Sequence, residues 1–102
     1  MNQRLKNYYQ NKNILITGGA SFIGSHLTEL LLSLDANIKI IDDLSSGSET
    51  NLRNVVNEIN FITGDVRDED IIEKELKNIE LVFNLAAMHG GRGYIETHPV
   101  ES

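Results

Sequence analysis

The sequence predicts an α/β domain built on a doubly wound parallel sheet, and three observations carry that prediction. Short apolar runs of strand length alternate with segments of helical period along the chain. The first run, Ile14-Leu15-Ile16, breaks at Thr17-Gly18-Gly19 and opens directly onto a helical pattern. An acid, Asp42, closes the second apolar run.

Residues 1–12 are polar with two tyrosines, Tyr8 and Tyr9, and read as a loose or briefly helical arm. The first strand spans 13–17. Its apolar residues are consecutive rather than alternating, as in a parallel strand buried on both faces. Phe22, Ile23, Leu27, Leu30, Leu31 and Leu34 then recur at steps of three and four, which predicts a helix over 22–35. A second strand is expected over 37–42, around Ile38, Ile40 and Ile41, followed by the polar loop Asp42-Asp43-Leu44-Ser45-Ser46-Gly47. A short helix over 49–57, capped by Ser48, should carry Leu52, Val55 and Val56 inward.

The third strand covers 59–63. A helix follows over 68–77 with Asp68 as its cap, Glu69 and Asp70 against its positive end, and Ile71, Ile72 and Leu76 on the sheet. A fourth strand spans 81–85, and Pro99 suits the first turn of one more helix. Right-handed βαβ crossovers arrange such strands in the order 3-2-1-4. This is an incomplete, Rossmann-type three-layer fold: an arm over 1–12, then a dinucleotide-binding domain over 13–102. Strand 4 is expected at an open edge, needing a partner or a further part of the protein to cover it.

Composition narrows the function. A chain of 102 residues is one domain at most. Fifteen acids against nine bases give a net charge of −6, which argues against nucleic acid. The absence of cysteine removes disulfides, thiolate metal sites and a cysteine nucleophile. The three histidines lack metal-site spacing, so no metal is expected. No apolar run approaches the ~20 residues that span a bilayer. The first residues carry no apolar signal core. A cytoplasmic location, away from membranes, is the expectation.

The glycine turn carries the chemistry. A strand that enters a helix through glycines aims the unpartnered first-turn amides, and the positive end of the helix dipole, at one point. Asp42 lies 18 residues beyond Gly24, where a carboxylate can accept from both hydroxyls of an adenosine ribose and repel a 2′-phosphate. That predicts NAD rather than NADP. A nucleoside-triphosphate loop is set aside, because Ser25 and His26 follow Gly24 where a lysine would be required. A methyltransferase also places an acid after its second strand, and spacing alone leaves that alternative open.

Thr17-Gly18-Gly19-Ala20-Ser21-Phe22-Ile23-Gly24-Ser25-His26-Leu27 resembles the T-G-G-A-G-F-I-G-S-H-L signature of the extended short-chain dehydrogenase/reductases, the NAD-dependent nucleotide-sugar epimerases and dehydratases. Three later stretches resemble the same family in the same order. They are Asp42-Asp43-Leu44-Ser45-Ser46-Gly47, Gly64-Asp65-Val66-Arg67-Asp68 and Val82-Phe83-Asn84-Leu85-Ala86-Ala87. The segment from Ala86 to Tyr94 is similar to a stretch of the GDP-mannose 3,5-epimerases.

The resemblance implies roles by position. Gly18, Ser21, Phe22, Ile23 and Gly24 would surround the pyrophosphate. Asp42 would hold the adenosine ribose, with Asp43, Leu44 and Ser45 beside it. Asp65, through its carboxylate, and Val66, through its amide, would flank adenine. Leu85, Ala86 and Ala87 would line the path to the nicotinamide ribose, and His89, Gly90, Gly91 and Arg92 would border a sugar-nucleotide substrate. Ser21 departs from the signature, standing where its middle glycine lets backbone approach phosphate. The catalytic Tyr-x-x-x-Lys that the resemblance implies would lie beyond a fifth strand, and Tyr94, followed four residues on by His98, lies too early to count. The expectation is the NAD-binding portion of a nucleotide-sugar epimerase, dehydratase or decarboxylase, holding cofactor without turnover. The alternative is a free-standing, non-catalytic NAD-binding module or truncated gene product.

Overall fold

A computed structural model describes residues 3–45, 47–86 and 97–99, the last three through their backbone. The strands are β1 (Asn13–Thr17), β2 (Asn37–Asp42), β3 (Ile59–Thr63), β4 (Leu81–Asn84) and β5 (Thr97–Pro99). The helices are α1 (Gln3–Tyr9), α2 (Phe22–Ser33) and α3 (Glu69–Glu75).

The sheet order is β3-β2-β1-β4-β5. The first four strands are parallel, as the alternating pattern requires. Register brings the carboxyl ends together: Thr17 lies opposite Ile41 on one side and Asn84 on the other, and Asp42 lies opposite Thr63. Ligands of such sheets gather at this end of the strands.

Successive side chains of β1 enter different cores. Ile14 and Ile16 pack beneath α2 with Leu31, Leu34, Ile38, Ile40, Leu52 and Phe83. Leu15 packs on the opposite face with Ile41 and Ile79, where Val66, Ile71, Ile72, Leu76 and Val82 from the α3 side cover it. Both faces of β1 are therefore dry, which is why its sequence is continuously apolar. Each fully buried Ile or Leu contributes roughly 1.5–3 kcal/mol relative to exposure.

Five expectations are corrected. The segment after Ser48 is two 3-10 turns, Glu49–Leu52 and Val56–Glu58, not one helix. Leu52 and Val55 are buried, but Val56 points outward at 54% exposure. Eclipsed i, i+3 geometry cannot keep three neighbouring apolar residues on one face. In α2, Phe22, Ile23 and Leu30 are exposed, because the face that meets the sheet is made of Gly24, Ser25, Thr28 and Leu31. Pro99 begins no helix. Thr97–Pro99 pair antiparallel with Leu81–Phe83, so the chain itself covers the β4 edge, and a proline without an N–H is tolerated on an outermost strand.

Candidate functional site

The turn between β1 and α2 is shaped by its glycines at two points. Gly18 adopts φ +73°, and a Cβ there would lie 2.8 Å from the Ala86 amide nitrogen. A Cβ on Gly24 would lie 2.7 Å from the Gly18 carbonyl oxygen, so only glycine lets the first turn of α2 rest on the loop.

Ser21 occupies extended backbone at φ −70°, ψ 166°, and its Oγ accepts the Gly24 amide at 2.9 Å. The residue that departs from the glycine signature is thus the N-cap of α2, a role glycine fills less well. Its carbonyl accepts the Ser25 amide. Among the described residues, the N–H groups of Phe22 and Ile23 meet no acceptor. Both residues are exposed. Two orphan donors at the positive end of a three-turn helix fit a diphosphate.

The turn is fastened from outside. Asp42 is 6% exposed; its Oδ2 accepts the Ala20 amide at 2.9 Å and its Oδ1 accepts the Leu44 amide at 2.7 Å. The Ala20 carbonyl accepts from the Asn51 side-chain amide at 2.8 Å and from the Ser48 amide at 3.1 Å. Asp42 therefore sits at the mouth of the glycine turn, where sequence spacing put it, and it also pins that turn. Each carboxylate oxygen retains acceptor capacity beyond one bond. Leu44 accommodates the bend at φ +64° and packs against the α2-side core. Asn51 was not foreseen: an asparagine in a polar stretch carries no periodic signal.

Beside Asp42 a cleft of about 590 Å³ runs along the strand ends, lined by Asp43, Ser45, Asp65, Val66, Arg67, Asn84 and Ala86. The structure thus gathers Asp43, Ser45, Asp65, Val66 and Ala86 along one cleft. The Asp43 Oδ1 accepts the Ser45 amide at 2.9 Å. The Leu85 side chain does not join them: it is buried in the core, and its backbone abuts Gly18 instead. Ala87, His89, Gly90, Gly91 and Arg92 lie outside the described residues.

Two features of the cleft are new. Thr17 Oγ1 donates to Asn84 Oδ1 at 2.6 Å, tying β1 to β4 at its floor. Asp65 is gripped by Arg67, whose Nη2 lies 2.7 Å from Oδ2, whose Nε lies 3.1 Å from both oxygens, and whose backbone N–H reaches Oδ1 at 2.8 Å. This side-chain hydrogen bonding lowers the Asp65 pKa to about 2, and Asp65 in turn raises that of Arg67. His26 is exposed on α2, its ring edge-on to Phe22 at 4.4 Å.

Comparison with known proteins agrees with this architecture. Residues 14–101 match the NAD dependent epimerase/dehydratase family. An epimerase of Methanothermobacter thermautotrophicus superposes with TM-score 0.74 at 36% identity, over 80% of this chain and 24% of that one. UDP-N-acetylglucosamine 4-epimerase of Methanobrevibacter ruminantium, solved with UDP-N-acetylmuramic acid, gives 0.67 at 43%, over 74% and 24%. The dTDP-glucose 4,6-dehydratase of Bacillus anthracis, solved with NAD, gives 0.68 at 29%, over 72% and 26%. The chain spans between 16% and 27% of the length of the curated relatives it matches. No helix among the described residues is long and apolar enough to cross a membrane. On its sequence motifs, sheet order and glycine turn, the chain belongs to the NAD dependent epimerase/dehydratase family.

Proposed function

We propose that this chain is the cofactor-binding portion of a nucleotide-sugar epimerase, dehydratase or decarboxylase, and that it binds NAD. The observation that carries the reading is the pair of first-turn amides at Phe22 and Ile23, without an acceptor among the described residues, on the helix that follows the glycine turn whose Ala20 amide Asp42 holds. Gly18, Ser21, Phe22, Ile23 and Gly24 would hold the diphosphate. Asp42, with Asp43, Leu44 and Ser45, would receive the adenosine ribose, and Asp65 and Val66 the adenine. Ala86 and Ala87, with the Leu85 backbone, would lead toward the nicotinamide. NAD, when bound, supplies a hydride acceptor for a sugar carbon. The residues here bind and orient it.

His89, Gly90, Gly91 and Arg92 are proposed to border the sugar nucleotide. Solved relatives give support, having been captured with NAD or with a UDP-linked sugar. The one Tyr-x-x-x-Lys in the sequence, Tyr8 to Lys12, precedes β1 and is not among the residues that line the cleft, so binding without turnover is proposed for these 102 residues.

Calorimetric titration of the chain tests this. NAD should bind more tightly than NADP by at least about tenfold, the weight of one charge-bearing contact. Equal affinity for both would refute the role given to Asp42, and detectable sugar-nucleotide turnover would refute the absence of catalysis.

A further inference from the structure

The arm ahead of β1 differs in charge from what it leans on. Residues 1–12 hold three bases, Arg4, Lys6 and Lys12, and no acid, so all fifteen acids of the chain lie beyond it. The arm also precedes residues 14–101, the stretch that matches the family. It meets the amino ends of the strands, away from the cleft at their carboxyl ends. Lys6 Nζ lies 3.2 Å from Asp35 Oδ2, and Lys12 Nζ lies 3.9 Å from Glu80 Oε2 and 4.7 Å from the centre of the Tyr8 ring. The Asn11 amide donates to the Asp35 carbonyl at 2.8 Å, and the Asn37 side-chain amide donates to the Asn11 carbonyl at 3.3 Å. Asn11 and Asp35 both adopt φ +63°, backbone that asparagine and aspartate tolerate better than other side chains. Tyr9 packs against the α2-side core, yet no residue of α1 is buried. A seven-residue helix is not stable alone in water, so α1 exists only while these contacts hold it.

We infer that residues 3–12 form an electrostatic clasp, which closes over the α2–β2 corner and the start of β4 and opens as a unit when salt screens it. Exposed ion pairs are individually weak and readily screened. They decide the outcome here because the arm has no buried residue and little else to hold it. The sheet beneath, with both faces of β1 dry, does not depend on charge. Opening of the clasp is therefore an event separate from unfolding of the domain, and it needs less free energy.

Native-state hydrogen exchange of the 102-residue chain, followed by NMR, tests this. The Gln10 amide, bonded to the Lys6 carbonyl, reports α1, and the Asn11 amide reports the corner. The amides of Ile16 and Ile40, which lie opposite one another in the sheet, report the domain. Both arm amides should be protected relative to an unstructured peptide, but less than Ile16 and Ile40. Raising sodium chloride from about 20 to about 500 mM should lower arm protection about threefold to tenfold, the weight of two exposed pairs, and leave Ile16 and Ile40 within about twofold. Asp35→Asn removes the charge and keeps the left-handed corner, so it should lower arm protection about twofold to fivefold at low salt. Lys6→Gln should do the same, and the two together should add little to either alone.

Protection of Gln10 and Asn11 that ignores salt overturns the inference, and that result needs no variant. So does protection equal to that of Ile16 and Ile40, which would make the arm one unit with the core. Absence of any protection overturns it too, since the arm would then never close. Full additivity of Asp35→Asn and Lys6→Gln does the same, by showing that the two side chains act apart.

Discussion

Replacing Asp42 by alanine tests whether its carboxylate fastens the glycine turn as well as facing a ligand. Two amides lose their acceptor. The Ala20 amide belongs to a residue with no exposed surface, so its donor is stranded away from water. A stranded buried donor costs about 1–3 kcal/mol. The Leu44 amide is half-buried, and water can partly replace its 2.7 Å bond, which places that loss near the lower end, about 1 kcal/mol. The sum is about 3 kcal/mol, a large part of the ~5–15 kcal/mol that holds a domain of this size together. At roughly 4–8 °C per kcal/mol, the melting temperature should fall by about 12–24 °C. Asp42→Asn keeps one acceptor oxygen and should cost about half as much, as its amide group then faces one of the two N–H donors. Urea unfolding of the ligand-free chain, followed by far-ultraviolet circular dichroism, measures both. A loss below about 1 kcal/mol in Asp42→Ala would refute the reasoning, since it would mean that Ala20 and Leu44 find other partners. The result also bears on cofactor choice. An Asp42 variant that no longer distinguishes NAD from NADP is informative only where the turn remains folded, which makes Asp42→Asn the better reporter.

Other expectations follow from the same geometry. Gly18→Ala should lower stability by at least about 2 kcal/mol in urea unfolding, because left-handed backbone and a Cβ 2.8 Å from the Ala86 nitrogen penalise it together. Ser21→Ala should cost about 1 kcal/mol through the lost cap, whereas Ser21→Gly should cost only a few tenths, an ordering that thermal melts resolve. Carbon-detected NMR should find Asp65 titrating near pH 2, with its midpoint moving up toward the ordinary carboxylate range in Arg67→Gln. The folded pKa is depressed, so the pair favours the folded chain above the unfolded value near 3.8, and that contribution fades as pH falls toward 2.

The sheet was legible because its chemistry is local. Ile14, Leu15 and Ile16 could only be a strand covered on both sides, and Asp68 before Glu69 and Asp70 could only open a helix. The inward face of α2 was misread for a physical reason. Its contact with β1 is a close approach through Gly24, Ser25 and Thr28, so hydrophobic period gave the helix but not its orientation. Val56 failed because propensity does not separate one helix from two 3-10 turns over ten residues. At the site, motif spacing placed Asp42 and Asp65 correctly at the strand ends. The bonds from Asp42 and Asn51 to Ala20, and from Thr17 to Asn84, join residues 22 to 67 positions apart, and no periodicity encodes them.

Ala20, held by its N–H from one strand end and by its carbonyl from the segment beyond, gives the receptacle a kinetic character. A loop already set in shape has little freedom left to surrender when an anion arrives. Encounter would then be governed by diffusion and charge rather than by a slow closing motion, and tuning of residence time would fall to the groups that let go of the ligand.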